Sequence, residues 1–102
     1  FECNIIFSME VVYYLDNPQS LINHVFDNLL NKGGIFIMGI DYYTENKKSL
    51  NWPQDLNIKM YKGSILEWKK IFINSGFDNT TTHQVCANKD WAGTLVVLGT
   101  KY

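Results

Sequence analysis

The order of apolar and polar stretches along the chain predicts strands that alternate with helices. Two short and nearly continuous apolar runs, at 5–7 and 35–38, are rich in β-branched residues, which is typical of strands buried in a parallel sheet. Between them, apolar residues recur at helical spacing and form a broad stripe: Leu21, Ile22, Val25, Phe26, Leu29 and Leu30. A strand, a helix and a second strand in this order form a right-handed βαβ unit.

Residues at both ends of this first helix carry the expected signals. Asn17 is placed to cap the amino terminus, and Pro18 occupies the first helical position, where a missing N–H costs nothing. Gly33 is expected to form a left-handed cap at the carboxyl terminus, and Gly34 to turn the chain into the second strand. The helix is therefore expected to continue almost to Gly33.

The second half of the chain predicts one more helix and two more strands. Ser64 and Glu67 form a capping-box pattern at the start of that helix, which is expected to stop at Gly76, with Phe77 packing back on its last turn. The stretch 80–86 is typical of an edge strand, and 94–99 of a central strand, with a hairpin loop between them.

A long connection from Asp41 to Gly63 separates the second strand from the second helix. It is polar and aromatic, contains Pro53, and shows no regular periodicity. A connection of this length in a small domain is more often a working loop than a spacer.

Composition restricts the possible functions. The chain has 102 residues, is 46% hydrophobic and has a formal charge of -1, and its nine basic residues are all lysine, so a single globular domain is expected and a nucleic-acid partner is not. Cys3 and Cys86 have no metal-ligand spacing, which predicts reduced thiols, no metal site and a cytoplasmic location. No apolar run approaches the roughly 18 to 20 residues needed to cross a membrane.

Candidate site residues follow the two predicted parallel strands. Ligands of open parallel sheets bind beyond the carboxyl ends of the strands, so one crevice is expected to receive Ser8, Met9 and Glu10 from the first strand and Asp41, Tyr42 and Tyr43 from the second. Glu10 could bind an amino group of a cofactor, hold an amine substrate or act as a general base. Each of these residues also has a plainer interpretation as a loop, turn or packing residue.

The order of motifs resembles the C-terminal half of a class I S-adenosylmethionine-dependent methyltransferase. The segment 5–15 resembles the fourth strand and following loop of the family, and 16–34, which ends in Asn-Lys-Gly-Gly, resembles its next helix and Lys-Pro-Gly-Gly turn without the proline. Gly76 and Phe77 match the frequent Gly-Phe before the sixth strand, and 91–97 resembles the start of the antiparallel seventh strand. The resemblance covers the whole chain.

This resemblance implies an α/β fold, a partial Rossmann-like sheet with strands in the family order 4-5-7-6, the last strand antiparallel and helices packed on it. Residues 1–102 would form the C-terminal half of the domain, with S-adenosylmethionine as the cofactor and a small molecule as the methyl acceptor. The Gly-rich turn, the ribose-binding acid and the adenine-side polar residue of the family are missing, so the fragment alone is expected to be inactive.

The resemblance also assigns roles to residues. Ser8, Met9 and Glu10 would contact the cofactor, with Glu10 as the candidate catalytic group. Substrate contacts would come from Tyr13, Asp41, Tyr42, Tyr43, Trp52 and Trp91, although packing explains Tyr42, Tyr43 and Trp52 about as well, and Trp91 better.

Two other classes of function stay open at this stage. The chain could be half of another nucleotide-binding α/β enzyme, such as an oxidoreductase, because βαβ layouts are shared between functions. It could also be a non-catalytic module that assembles through an open sheet edge, since the apolar first strand would lie unpaired on one side. That edge predicts self-association into a dimer or a swapped assembly.

Overall fold

One mixed sheet organises the molecule. The structure is a computed structural model that describes residues 3–102. Its strands are β1 (Cys3–Met9), β2 (Leu30–Ile40), β3 (Asp78–Val85) and β4 (Thr94–Thr100). They lie in the order β1-β2-β4-β3, with β1 parallel to β2, and β4 antiparallel to both of its neighbours. The predicted strand order and the antiparallel last strand are confirmed.

Three helices connect the strands, and their amino termini are capped as predicted where the sequence carries a cap. The helices are α1 (Pro18–His24), α2 (Trp52–Leu56) and α3 (Ile65–Ser75). The Asn17 side chain accepts the backbone N–H of Ser20 at 3.2 Å. At the start of α3, Ser64 and Glu67 exchange side-chain to backbone hydrogen bonds of 3.0 Å each. Gly76 ends α3 with a left-handed φ of 112°.

The first helix ends earlier than the sequence predicts. After His24 the chain forms one wider π turn over Val25–Leu29, and Leu30 already pairs with Cys3 as part of the sheet. Gly33 does adopt a left-handed φ of 82°, but it lies inside β2 and does not cap the helix. The β1–β2 register jumps from Cys3↔Leu30 to Ile5↔Ile35, and this bulge is where the left-handed residue is needed.

The connection between β2 and α3 is more regular than predicted. It contains a 3₁₀ turn at Lys47–Ser49 and the short helix α2. Pro53 lies in the first turn of α2, where its missing N–H breaks no helical hydrogen bond. The backbone N–H of Tyr61 then bonds the carbonyl of Tyr13 at 2.6 Å. This bond ties the end of the connection to the loop after β1.

The core lies between one face of the sheet and the helices. Side chains alternate between the two faces of a strand, and the covered face carries Phe36, Met38, Ile40, Leu95 and Val97, all of which are almost fully buried. Helix α3 supplies Trp68, Ile71 and Phe72 to the same core, and Phe72 stacks on Phe36 with ring centroids 5.3 Å apart.

The opposite face, here called the open sheet face, consists mostly of apolar side chains. By strand register it comprises Ile5, Phe7 and Met9 from β1, Ile35 and Ile37 from β2, and Val96 and Leu98 from β4. Ile5 and Phe7 are 65% and 62% exposed. A contiguous apolar surface of this kind marks an interaction surface more often than an ordinary solvent face.

Candidate functional site

The carboxyl ends of β1 and β2 lie side by side, as the sequence predicts. The backbone N–H of Glu10, directly after β1, donates to the carbonyl of Gly39 at 2.8 Å. The Asp41 carboxylate is close enough to Glu10 to act on its pKa. The two acidic residues that follow the parallel strands therefore share one end of the sheet.

Glu10 has an unusual backbone and a partly unsatisfied carboxylate. Its φ is 60°, in a region that non-glycine residues rarely adopt and that is enriched at functional sites. One carboxylate oxygen, Oε2, accepts the hydroxyl of Tyr13 at 2.7 Å. The other oxygen, Oε1, is buried and has no hydrogen-bond partner among the described residues. A buried acceptor without a donor is costly to the fold, so this oxygen is a candidate ligand contact.

Burial raises the pKa of the Glu10 carboxyl, and the nearby Asp41 charge raises it further. The hydrogen bond from the Tyr13 hydroxyl and the nearby Asp41 backbone both lower this pKa, but the pKa remains above its ordinary value. A carboxylate in this environment is a stronger base than an exposed glutamate, and it attracts a cationic group more strongly than a fully hydrated one does.

Tyr13 holds the Glu10 carboxylate in place. Burial, together with the hydrogen bond and negative charge of Glu10, raises the pKa of Tyr13 far above its ordinary value. The phenol therefore stays protonated at every physiological pH and remains a hydrogen-bond donor. Its ring also packs on Tyr42, with centroids 5.7 Å apart. Tyr14 is 44% exposed, so only one tyrosine of the adjacent pair packs inward.

Hydrogen bonds connect Asp41 to β4 and to Asn46 in the turn after β2. Its Oδ1 accepts the hydroxyl of Thr94 at 2.6 Å, and its carbonyl accepts the Asn46 side-chain amide at 2.8 Å. Thr94 begins β4, which runs antiparallel to β2, so the start of β4 lies at the same end of the sheet as the end of β2.

Ser8 and Met9 are the last two residues of β1, directly before Glu10. Ser8 pairs with Met38 and Met9 with Gly39, and their side chains point to opposite faces of β1 because strand residues alternate. Met9 lies over Gly39, where a Cβ would come within 2.7 Å of its sulfur. The cofactor contacts of Ser8, Met9 and Glu10 stay predictions.

The predicted aromatic contacts are divided between cleft-lining and packing positions. Tyr43 has no exposed surface, and its hydroxyl donates to the carbonyl of Gly93 at 2.6 Å, so it ties β2 to the β3–β4 hairpin and does not face the crevice. Trp52 packs at the margin of the core. Tyr42 and Trp91 each line an open cleft.

The first cleft, here called the tyrosine cleft, has a volume of about 500 Å³. It lies between the loop after β1 and the segment that contains α2. Its wall includes Leu15, Asp16, Tyr42, Pro53, Met60 and Tyr61. The cleft is open, and polar groups of Gln54 and Lys59 also line it.

The second cleft, here called the lysine cleft, has a volume of about 400 Å³. It opens between the turn that follows β2 and the β3–β4 hairpin loop. Its lining includes Asn46, Lys47, Lys48, Lys89, Asp90 and Trp91.

Sequence analysis did not identify some of the residues that line these clefts. Asn46 is fully buried, and its Oδ1 has no hydrogen-bond partner in the described part of the chain. Met60 and Tyr61 enter the tyrosine cleft because their segment bonds back to Tyr13. All three lie in the long connection whose path depends on tertiary contacts. A stretch of polar and aromatic residues was the only available signal.

Other chemistry is sparse in the described part of the chain. Within residues 3–102, no group of three or more His, Cys, Asp or Glu side chains is arranged to hold a metal ion. Cys3 and Cys86 are free thiols. Among the same residues, no helix has the length and apolarity needed to cross a membrane.

No family model matches the sequence, and no curated protein matches it significantly. Solved structures do match its fold. One is from the complex between the Trm112 methyltransferase activator of Haloferax volcanii and a methyltransferase, with 23% identity and a TM-score of 0.83 over 97% of this chain and 54% of that one.

Two further matches share the same fold. An S-adenosylmethionine-dependent methyltransferase of Thermotoga maritima is 16% identical, with a TM-score of 0.77 over 97% of this chain and 56% of its own. The N-methyltransferase NodS of Bradyrhizobium japonicum, solved with S-adenosyl-L-homocysteine, is 16% identical, with a TM-score of 0.62 over 96% of this chain and 45% of its own. This chain thus spans about half the length of these structures, and it has the Rossmann-like fold of S-adenosylmethionine-dependent methyltransferases.

Proposed function

We propose that this chain is the C-terminal half of an S-adenosylmethionine-dependent methyltransferase domain that acts on a small molecule. The observation that carries the proposal is the unsatisfied Glu10 carboxylate oxygen at the joint end of β1 and β2. The fold supports the same function, because the solved structures with this topology include methyltransferases.

The Glu10 environment fits such a cofactor chemically. S-adenosylmethionine supplies a methyl group on a positively charged sulfonium and carries an ammonium and ribose hydroxyls, all of which suit a carboxylate. Glu10 Oε1 has no hydrogen-bond donor among residues 3–102, and the neighbouring Asp41 adds a second negative charge. These two residues would hold the cationic cofactor, while Tyr13 keeps the Glu10 side chain oriented.

The tyrosine cleft would take the methyl acceptor. Tyr42 joins the two sites, since it lines the cleft and packs on Tyr13, which bonds Glu10. Methyl transfer is a direct displacement, so the residues here would act mainly by orienting the acceptor and excluding water. Where the acceptor must lose a proton, Glu10 is the nearby group whose raised pKa suits a general base.

The complete domain would include a second half. The chain spans 54% and 56% of two matching structures, and its open sheet face leaves apolar side chains uncovered. A second half that covers this face and pairs with β1 would supply the Gly-rich turn and ribose-binding acid that this chain lacks. The fragment alone would then bind the cofactor weakly and be inactive.

Calorimetry on the complete protein tests the proposal. We expect S-adenosylhomocysteine, the product of the reaction, to bind with a measurable heat, and a nicotinamide dinucleotide not to bind. The dinucleotide is the matched control, because it shares the adenosine group and tests the oxidoreductase alternative. Preference for the dinucleotide would contradict the proposal, and so would the absence of binding by either ligand.

We also propose that the 102-residue chain, when alone, associates with a second copy through β1. This strand is the edge of the described sheet, so its outer backbone groups are open to pairing. Two β1 edges can pair about a twofold axis, which is the usual symmetry of a dimer. Ile5 and Phe7 of both copies would then form one continuous apolar surface.

Light scattering coupled to size exclusion measures this association. The wild-type chain is expected to elute with twice the mass of one chain, and Phe7→Lys, which places a charge at the shared surface, is expected to elute as a monomer. Leu66→Lys is the control, because Leu66 is equally exposed at 59% but lies on α3. A folded wild-type monomer would rule out the association.

A further inference from the structure

We propose that the lysine cleft binds a planar aromatic acid that carries a hydroxyl or amino group. This binding does not depend on the proposed function.

Positive charge reaches the cleft from both of its walls. Lys47 and Lys48 belong to the turn after β2, and Lys89 belongs to the β3–β4 hairpin loop. The cleft also contains two carboxylates, but Glu45 accepts the backbone N–H of Ile65 at 2.9 Å and so faces the start of α3. The three lysines therefore still outnumber the two carboxylates, Glu45 and Asp90. An anionic group between the walls would be attracted from both sides.

Asn46 provides a buried hydrogen-bond acceptor in the same cleft. Its side-chain amide nitrogen donates to the backbone carbonyl of Asp41, and its own backbone carbonyl accepts the Ser49 hydroxyl at 2.7 Å. These bonds fix the residue, yet its Oδ1 is buried and has no partner among residues 3–102. Because Oδ1 can only accept, the ligand must bring an O–H or N–H donor.

Trp91 gives the cleft an aromatic surface on the hairpin side. The Trp91 side chain is half-buried, and the Trp91 backbone pairs with that of Asn88. An aromatic ring can stack on a planar ligand, which adds selectivity for flat molecules over aliphatic acids. A volume of about 400 Å³ is ample for one substituted ring.

One buried hydrogen bond connects the walls of the cleft, from the Tyr43 hydroxyl to the Gly93 carbonyl at 2.6 Å. Within the hairpin, the Gln84 side-chain amide donates to the Ala92 carbonyl at 3.1 Å in an exposed bond. Tyr43 therefore links the segment after β2 to the hairpin that carries Trp91. A cleft with walls held in this way requires little ordering when a ligand binds.

Asp41 connects the lysine cleft to the predicted cofactor side. Its carbonyl orients Asn46, while its carboxylate lies close to Glu10. A ligand in the lysine cleft would thus lie at the same end of the sheet as Glu10.

Titration of the 102-residue chain with 4-hydroxybenzoate tests the binding, with no cofactor present. We expect saturable shifts in the NMR signals of the Trp91 indole N–H and the Asn46 side-chain amide. The neutral analogue 4-hydroxybenzamide should bind about tenfold more weakly, because it lacks the charge that the lysines attract. Benzoate, which lacks the hydroxyl donor to Asn46, should bind several-fold more weakly.

Paired variants distinguish this cleft from general attraction to a lysine-rich surface. The Lys48→Gln/Lys89→Gln double variant is expected to lose about tenfold in affinity for 4-hydroxybenzoate, and Lys70→Gln, on the exposed side of α3, is expected to lose none. Equal binding of the amide and the acid would overturn the proposal, as would equal loss in both variants or no saturation up to about 10 mM. Failure of S-adenosylhomocysteine binding would leave this titration unchanged, so the two proposals fail separately.

Discussion

Replacing Trp68 with alanine is expected to lower the free energy of unfolding by about 3–5 kcal/mol. Trp68 is fully buried on α3 and meets Tyr61 edge-to-face, with centroids 5.1 Å apart. Its removal leaves a cavity between α3 and the segment that closes the tyrosine cleft. Since domains of this size are stable by only about 5–15 kcal/mol, a large part of the stability depends on this one ring. Chemical denaturation followed by circular dichroism measures the loss.

Two further variants make this prediction specific. Leu66→Ala, at an exposed position on the same helix, is expected to change stability by no more than about 0.5 kcal/mol. Trp68→Phe keeps an aromatic ring and loses no hydrogen bond, because the indole N–H has no partner among the described residues, so it should cost less than alanine. A Trp68→Ala chain as stable as wild type would contradict the burial of Trp68 in the core.

Replacing Glu10 with glutamine in the complete protein is expected to weaken the binding of S-adenosylhomocysteine by about 10- to 100-fold. Hydrogen bonds to charged groups contribute about 1.5–3 kcal/mol, which corresponds to that range of affinity. Glutamine has nearly the same shape and can still accept the Tyr13 hydroxyl, so the fold should persist. Calorimetry measures the affinity, and thermal unfolding checks the fold.

A carboxylate elsewhere serves as the matched control for Glu10. Asp27 is exposed in the π turn after α1, just before β2 and therefore toward the opposite end of that strand from Asp41. Asp27→Asn removes the same charge and should leave the affinity unchanged. Unchanged affinity in Glu10→Gln, with wild-type unfolding, would assign Glu10 a structural role alone.

The elements that follow from local chemistry were predictable from the sequence. The Ser64 and Glu67 pair encodes its own helix start, because both hydrogen bonds close within one turn. Gly76 encodes the stop, since its φ of 112° is disfavoured for other residues. The order of the strands followed from the resemblance to a known fold, and apolar runs located each strand without defining its ends.

The end of the first helix shows where local signals fail. Leu30 continues the helical stripe in sequence, but pairing with Cys3 places it in the sheet instead. The energy of that pairing comes from a residue 27 positions away, so periodicity within the helix could not reveal it. Gly33 was correctly expected to be left-handed, and its role in a strand bulge depends on the same long-range register.

The site was predictable to the extent that topology determines it. Parallel strands bring the residues after their carboxyl ends together, and Glu10 and Asp41 followed from this rule alone. Which of two adjacent tyrosines would face a ligand did not follow, and Tyr43 bonds the hairpin instead. Asn46 was also missed, because its burial depends on contacts with Asp41 and Ser49 that no periodic pattern encodes.

The arrangement at the joint end of β1 and β2 is tested most directly by a crystal structure of the complete protein with S-adenosylhomocysteine. We expect the ligand to lie against this end of the sheet, with one of its nitrogen or hydroxyl groups within about 2.7–3.2 Å of Glu10 Oε1. A ligand bound at the other end of the strands, or on a face remote from Glu10 and Asp41, would contradict the proposed site.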